Sequence, residues 1–322
     1  MRIEEIRVCG IVQGVGFRPT VYRLAKVFGL KGEVYNDGEG VLIRVSGSEE
    51  EITDFVNKLY QECPPLARIN EVIRSPYLGE FDFNDFVISR SVNSVVKTEI
   101  SPDAAICPQC QREIFDPFSR YFRYPFTNCT HCGPRLTIIR AIPYDRNNTS
   151  MANFSMCKEC EKEYQDVENR RFHAQPVACF VCGPRAWLER ADGKPVISDM
   201  FSMLDDLDAV CTLLQKGEII AIKGLGGFNL ACDATLQNAV QKLRNRKYRY
   251  HKPLALMARD INIISEYCYI NDLEKQLLTS SAAPIVLLKI KDNSKLASDL
   301  APGQNTLGFM LPYTPLHHLI LR

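Results

Sequence analysis

The sequence predicts a multidomain chain of mixed α+β and α/β class, and three observations carry that prediction. The first ninety residues alternate strand and helix patterns, a cysteine-rich unit recurs at a constant offset of fifty residues, and residues 200–322 return to helices, glycine turns and apolar strands. With 322 residues, 46% hydrophobic and 24% charged, the chain can bury more than one core. Its 39 basic and 38 acidic residues leave a formal charge of +1, so no global field points to nucleic acid or an anionic membrane. Any anion site must be local. The opening "MRIEEIRVCG" has no apolar stretch, and no later segment approaches the roughly 18 uninterrupted apolar residues that span a bilayer. The expected location is the cytoplasm.

Residues 1–91 form the first expected domain. "EIRVCGIV" has strand character, and "RPTVYRLAKVFGL" that of a helix ending near Gly29. "KGEVYN" and "GVLIRVSG" make a hairpin around Asp37-Gly38, followed by the helix "SEEEITDFVNKLYQEC" and the strands "ARINEVIRSPY" and "FDFNDFVISR". The order βαββαβ, with an extra edge, is the ferredoxin-like plan. Residues 100–188 hold the repeat, in which Cys107 to Arg135 matches Cys157 to Arg185; Glu113/Glu163, Asp116/Asp166 and Arg120/Arg170 coincide, and both units close with Cys-Gly-Pro-Arg. Residues 200–322 read as an α/β domain.

Glycines turn successive N–H groups inward at little cost, so Gln13-Gly14-Val15-Gly16-Phe17 leading into a helix can surround an anion, with Arg18 adding a planar fork of donors. From the loop alone, a tight strand-to-helix turn beside a solvated arginine fits as well. The longer pattern, "GIVQGVGFR" followed eighteen residues on by Asn36 in "GEVYNDGEGV", resembles the acylphosphatase family over about ninety residues. That resemblance implies that Gln13 to Arg18 bind a phosphoryl group and that Asn36 orients the attacking water, making Arg18 and Asn36 the catalytic pair. An amide suffices there, because the leaving carboxylate needs no strong base.

Eight of the thirteen cysteines fall in Cys-x-x-Cys pairs: Cys107, Cys110, Cys129 and Cys132, then Cys157, Cys160, Cys179 and Cys182. Two such knuckles complete four ligands for a structural zinc, and the duplication favours one ion per unit, with pairing between units as the alternative. Disulfides are disfavoured by the compartment, and a thioredoxin-like redox role by the Gly-Pro that follows two of the pairs. Four thiolates leave no open position for substrate, so the zinc holds the fold. His131 lies inside a knuckle and is not expected to be a ligand. His173, in "RRFHAQP", either lines a passage or packs.

"KGLGGF" (223–228) and "RNRKYRYHKP" (244–253) join glycine turns to a basic cluster suited to a polyphosphate, or to a solvated helix end. With "APIVLLK" and "LAPGQNTLGFMLPYTPLHHLIL", they look like the YrdC-like domain of HypF-type carbamoyltransferases, whose order of acylphosphatase, duplicated zinc module and YrdC-like domain matches this chain throughout. The resemblance implies ATP phosphate contacts at Lys247, Arg249 and Lys252, two zinc ions, and ATP with magnesium as co-substrate. The implied reaction cleaves carbamoyl phosphate to carbamate, which ATP converts to carbamoyl adenylate. A further domain then transfers the carbamoyl group to the C-terminal cysteine of HypE for the cyanide ligand of nickel-iron hydrogenases. "LPYTPLHHLILR" ends inside an apolar pattern, so the third domain is expected to continue beyond Arg322, with the transfer domain outside this chain. The chain departs from the family at Asn229, where histidine is usual, and at Phe180, where proline is usual. The alternative reading is a zinc-stabilised nucleic-acid-binding or scaffold protein whose acylphosphatase-like domain is inert.

Overall fold

The computed structural model describes residues 1–92, 94–194, 196, 205–292 and 295–322; the expected start of the third domain at residue 200 lies outside these. They divide into two compact units, Met1–Ala104 with Thr127–Pro184, and Ala105–Phe126 with Arg185–Arg322. The division runs through the cysteine-rich block.

The first unit opens with β1 (Arg2–Ile11), α1 (Phe17–Val27), β2 (Lys31–Asp37), β3 (Gly40–Gly47), α2 (Glu49–Gln61), β4 (Arg68–Pro76) and β5 (Phe86–Ile88). The strands pair in the order β4-β1-β3-β2-β5, the ferredoxin-like order with one added edge. That edge is β5, three residues long and parallel to β2. Period-two burial along β1 sends Ile6 and Val8 inward. Against them lie Val21, Leu24 and Ala25 of α1 and Ile52, Phe55 and Leu59 of α2, spaced at three and four residues as a helix face requires. A capping box starts α2: Ser48 Oγ accepts from the Glu51 N–H while the Glu51 carboxylate accepts from the Ser48 N–H.

Both β1 and β2 run antiparallel to β3, so their C-terminal ends lie at one end of the sheet. The loop after β1 and Asn36 near the end of β2 are thereby neighbours. The repeat contributes α3 (Pro108–Phe115) and α4 (Lys158–Gln165), each with the first cysteine of its unit as N-cap and an aspartate, Asp116 or Asp166, at its C-cap.

The second unit carries α5 (Asp206–Gln215), β6 (Ile220–Lys223), β7 (Phe228–Ala231), α6 (Gln237–Lys247), β8 (Leu256–Met257), α7 (Ile261–Tyr267), α8 (Asp272–Leu278), β9 (Val286–Lys289), β10 (Thr306–Met310) and α9 (Pro315–Ile320). Here β10 lies between β8, to which it is parallel, and β9, to which it is antiparallel; β6 and β7 form an antiparallel pair. Val240, Ile264, Leu278, Leu288 and Phe309 centre its core. Among the described residues, no helix is long and apolar enough to cross a membrane.

Candidate active site and metal centres

The glycine loop after β1 holds Gly14 at φ 73° and Gly16 at φ 82°, left-handed conformations that a side chain would strain. Space is short as well: a Cβ on Gly14 would fall 3.0 Å from Tyr144 Cδ1, and one on Gly16 3.3 Å from Thr130 Cβ. Gly16 also caps α1, which opens on Phe17 and Arg18. The first free N–H groups of a helix and a guanidinium thus occur together, the pairing an anion needs.

Gly14, Gly16, Phe17, Arg18 and Asn36 line one cavity of about 20 Å³, above the roughly 10–15 Å³ that a single water requires. Arg18 is buried; its Nη1 donates to Ser91 Oγ at 3.1 Å and its Nη2 to Asp145 Oδ1 at 2.8 Å. Asn36 is 1% exposed, and its Oδ1 has no hydrogen-bond partner. An orphaned acceptor shielded from solvent costs about 1–3 kcal/mol, which a bound water or substrate donor would recover. Gln13 and Val15, expected at the anion by resemblance, do not line the cavity. The Gln13 amide instead braces the hairpin, with Nε2 donating to the carbonyls of Asp37 and Gly40 at 2.7 and 2.8 Å and Oε1 accepting from the Tyr144 N–H at 3.0 Å. Val15 is fully buried in the core.

Residues that sequence reasoning did not assign, Thr130, Arg135, Tyr144 and the run Ala174 to Pro176, complete the cavity together with His173. Arg135, 1% exposed, donates from Nε to the Gly14 carbonyl, from Nη1 to those of Cys132 and Pro134 (2.9 Å each), and from Nη2 to those of Cys129 (3.1 Å) and Thr130 (2.9 Å). One guanidinium therefore spans a cysteine knuckle and the phosphate loop. Arg185, its counterpart in the repeat, is exposed.

His173 lines the cavity and also packs, its ring 4.6 Å from that of Phe172 and 5.0 Å from that of Tyr164. Burial, and secondarily the Arg18 charge, push its imidazole down from 6.5 to about 4, so it is neutral at pH 7. The unfolded chain takes up a proton near pH 6.5 that folded His173 refuses until about pH 4, so stability rises with pH across that window. Acidification from pH 7 to pH 5 is expected to cost about 2 kcal/mol from this residue. His173→Asn, which tolerates the left-handed backbone at φ 54°, is expected to remove that share of the slope in urea titrations at the two pH values. His317 and His318, also held near 4 by burial, would keep the remainder.

Cys107, Cys110, Cys129 and Cys132 form one sulfur group and Cys157, Cys160, Cys179 and Cys182 another; within each, all four sulfurs lie within 4.8 Å of one another. The ligands thus gather by repeat rather than across repeats. Around a tetrahedral zinc with bonds of about 2.3 Å, sulfurs sit about 3.8 Å apart. The separations of 3.7 Å for Cys157–Cys179, 3.9 Å for Cys179–Cys182, 3.6 Å for Cys160–Cys182 and 3.7 Å for Cys129–Cys132 fit that geometry.

In the second unit, Lys247 ends α6, Tyr248 turns the chain at φ 51°, and Lys247 and Lys252 are exposed. Arg249 is half-buried and donates from Nη2 to the Pro253 carbonyl at 2.5 Å. Arg244 belongs to the interior, although charge groups it with the surface cluster. It is 4% exposed and donates to the carbonyls of Asp299, Leu300, Arg249 and Lys252, so it shapes the loop that presents the other basic groups. Asn229 lies on β7 opposite Ile222, and Phe180 is exposed between Cys179 and Cys182.

Comparison with known proteins agrees with these observations. Residues 4–88 match the acylphosphatase family, 106–139 and 156–189 the HypF finger, and 212–322 the family described as telomere recombination, which groups Sua5, YciO and YrdC. Carbamoyltransferase HypF2 of Cupriavidus necator is 50% identical over 98% of this chain, and carbamoyltransferase HypF of Synechocystis 50% identical over all of it. The chain spans 39% and 41% of those two proteins. An acylphosphatase of Caldivirga maquilingensis is 46% identical over 90 residues, 93% of its own length. A crystal structure of full-length HypF in a phosphate- and nucleotide-bound form superposes with a TM-score of 0.92 at 44% identity, covering 99% of this chain and 41% of that one. The fold, the two cysteine groups and the matched segments together place this chain in the HypF carbamoyltransferase family, with acylphosphatase-like, finger and YrdC-like portions in that order.

Proposed function

We propose that this chain hydrolyses carbamoyl phosphate to carbamate and phosphate. The observation that carries the reading is the solvent-shielded Asn36 Oδ1, left without a partner in the cavity that Arg18 and the glycine loop line. Arg18 and the loop amides bind the phosphoryl oxygens, whose charge they neutralise in a site of low dielectric. Asn36 accepts a hydrogen bond from water and holds it in line with the bond to the carbamoyl oxygen; attack at phosphorus breaks that bond, and carbamate departs.

Carbamate is then the acid that the YrdC-like portion activates. ATP with magnesium, its phosphates contacted by Lys247, Arg249 and Lys252, converts carbamate to carbamoyl adenylate and releases pyrophosphate. In the whole protein the carbamoyl group passes on to the C-terminal cysteine of HypE. A solved relative that binds phosphate and nucleotide supports these ligand classes. Zinc in the two thiol groups supplies structure.

Phosphate release from carbamoyl phosphate tests the first step. Asn36→Ala is expected to lower kcat by about a hundredfold while KM changes little, because water placement rather than substrate binding is lost. A folded, metal-loaded chain that releases no phosphate above the spontaneous rate would sink the reading and favour an inert, scaffold-like domain.

A further inference from the structure

Residues 140–155 lie outside every family match given above. That segment nonetheless puts two consecutive side chains at the cradle. Asp145 takes Nη2 of Arg18 at 2.8 Å, and Tyr144 lines the cavity with its ring against Gly14. Tyr144 is 3% exposed, and its hydroxyl is the second buried side-chain atom of this cavity with no hydrogen-bond partner.

Two residues that line this one small cavity thus each carry a buried oxygen without a hydrogen-bond partner. The phosphoryl half of an acyl phosphate is a cluster of acceptors, which Arg18 and the loop N–H groups suit. The Asn36 carbonyl oxygen can only accept, whereas the phenol can donate its O–H and can also accept from an N–H or O–H donor, a capacity that no phosphoryl oxygen uses. On the proposed reading, Asn36 holds the attacking water. The phenol oxygen is left for the acyl half, and burial raises the Tyr144 pKa above its usual range, so the group stays neutral and does not repel the dianion.

We propose that Tyr144 determines specificity, its hydroxyl hydrogen-bonding the amino group of the carbamoyl half so that acyl phosphates ending in an N–H donor are preferred over those ending in methyl. The inference rests on the reading that the cradle takes acyl phosphates. A site built to pair with an N–H rejects the isostere lacking it more strongly than an apolar pocket rejects an extra methylene, because the buried partner is left unpaired. The Caldivirga acylphosphatase, matched nearly end to end by 90 residues, has no room for a counterpart of this segment.

The test compares carbamoyl phosphate with acetyl phosphate in two ways: kcat/KM for phosphate release, and the concentration of each that displaces bound inorganic phosphate at equilibrium. Both are measured for the chain and for Tyr144→Phe, with Tyr144→Leu as the second variant should phenylalanine perturb folding. The expected result is a carbamoyl-over-acetyl ratio that falls by about tenfold to a hundredfold in both readouts. Equal losses for the two substrates, or an unchanged ratio, would overturn the proposal and leave Tyr144 as packing against Gly14. If the unsubstituted chain hydrolyses neither compound, the hydrolytic reading fails separately, and the displacement ratio still decides Tyr144.

Discussion

Arg18→Ala is expected to lower kcat/KM for phosphate release from carbamoyl phosphate by about a thousandfold or more. Loss of one neutral oxyanion donor costs an enzyme about two to three orders of magnitude, and Arg18 brings a full charge and two-pronged geometry to a buried site. Arg18→Lys is expected to recover little of it. A lysine keeps the charge but not the fork, and Nη1 and Nη2 are aligned by Ser91 and Asp145, positions that a single ammonium cannot occupy together. Colorimetric phosphate release across a substrate series gives the constants, with thermal unfolding of each variant confirming that it is folded. Wild-type rates in Arg18→Ala would remove the cradle from the chemistry altogether.

Arg135→Ala is the substitution expected to destabilise most. It removes donors to five carbonyls, those of Gly14, Cys129, Thr130, Cys132 and Pro134. Hydrogen bonds from a charged group contribute about 1.5–3 kcal/mol each, discounted because the freed carbonyls are not independent and water will reach some of them. A loss of about 4 kcal/mol or more is expected, together with faster zinc release to a chelator, since two of the five acceptors belong to cysteines of one knuckle. Arg185→Ala, at the equivalent but exposed position of the repeat, is expected to stay within about 0.5 kcal/mol. Parallel denaturant titrations, with chelator-dye kinetics on both variants, separate the two arginines. Equal effects would show that the buried carbonyl contacts of Arg135 contribute nothing beyond an exposed arginine.

What could be read from sequence was local. Gly14, Gly16 and Arg18 sit within five residues on a strand-to-helix junction, and the cysteines announce themselves by a two-residue gap, so pattern alone located both. The sheet order followed from the alternation of elements. Tyr144 and Asp145 were illegible because they come to Arg18 from more than a hundred residues away, in a segment of short turns without a hydrophobic period; His173 was legible only as a residue that lines a passage or packs. Two polar side chains have partners that residue type alone does not show. Gln13 belongs to the anion loop by resemblance, and its side-chain amide is consumed by the Asp37, Gly40 and Tyr144 backbone. Arg244 was counted with a basic surface, yet four backbone carbonyls hold it inside. In both cases the demand of buried carbonyls for donors decided the matter, and that demand exists only once the chain has folded.

The fifty-residue period bears on how such a gene can change. Tandem duplications contract by unequal crossing-over, and an in-frame loss joining Cys132 directly to Gly183 would regenerate an intact four-cysteine unit closed by Gly-Pro-Arg. By metal binding alone, that shortened protein passes inspection. The same event would delete Tyr144, Asp145 and His173 together, unroofing the cavity and releasing Arg18 from its carboxylate. A chain that keeps one intact four-cysteine unit would thus still lose the chamber that the segment between the copies helps to build.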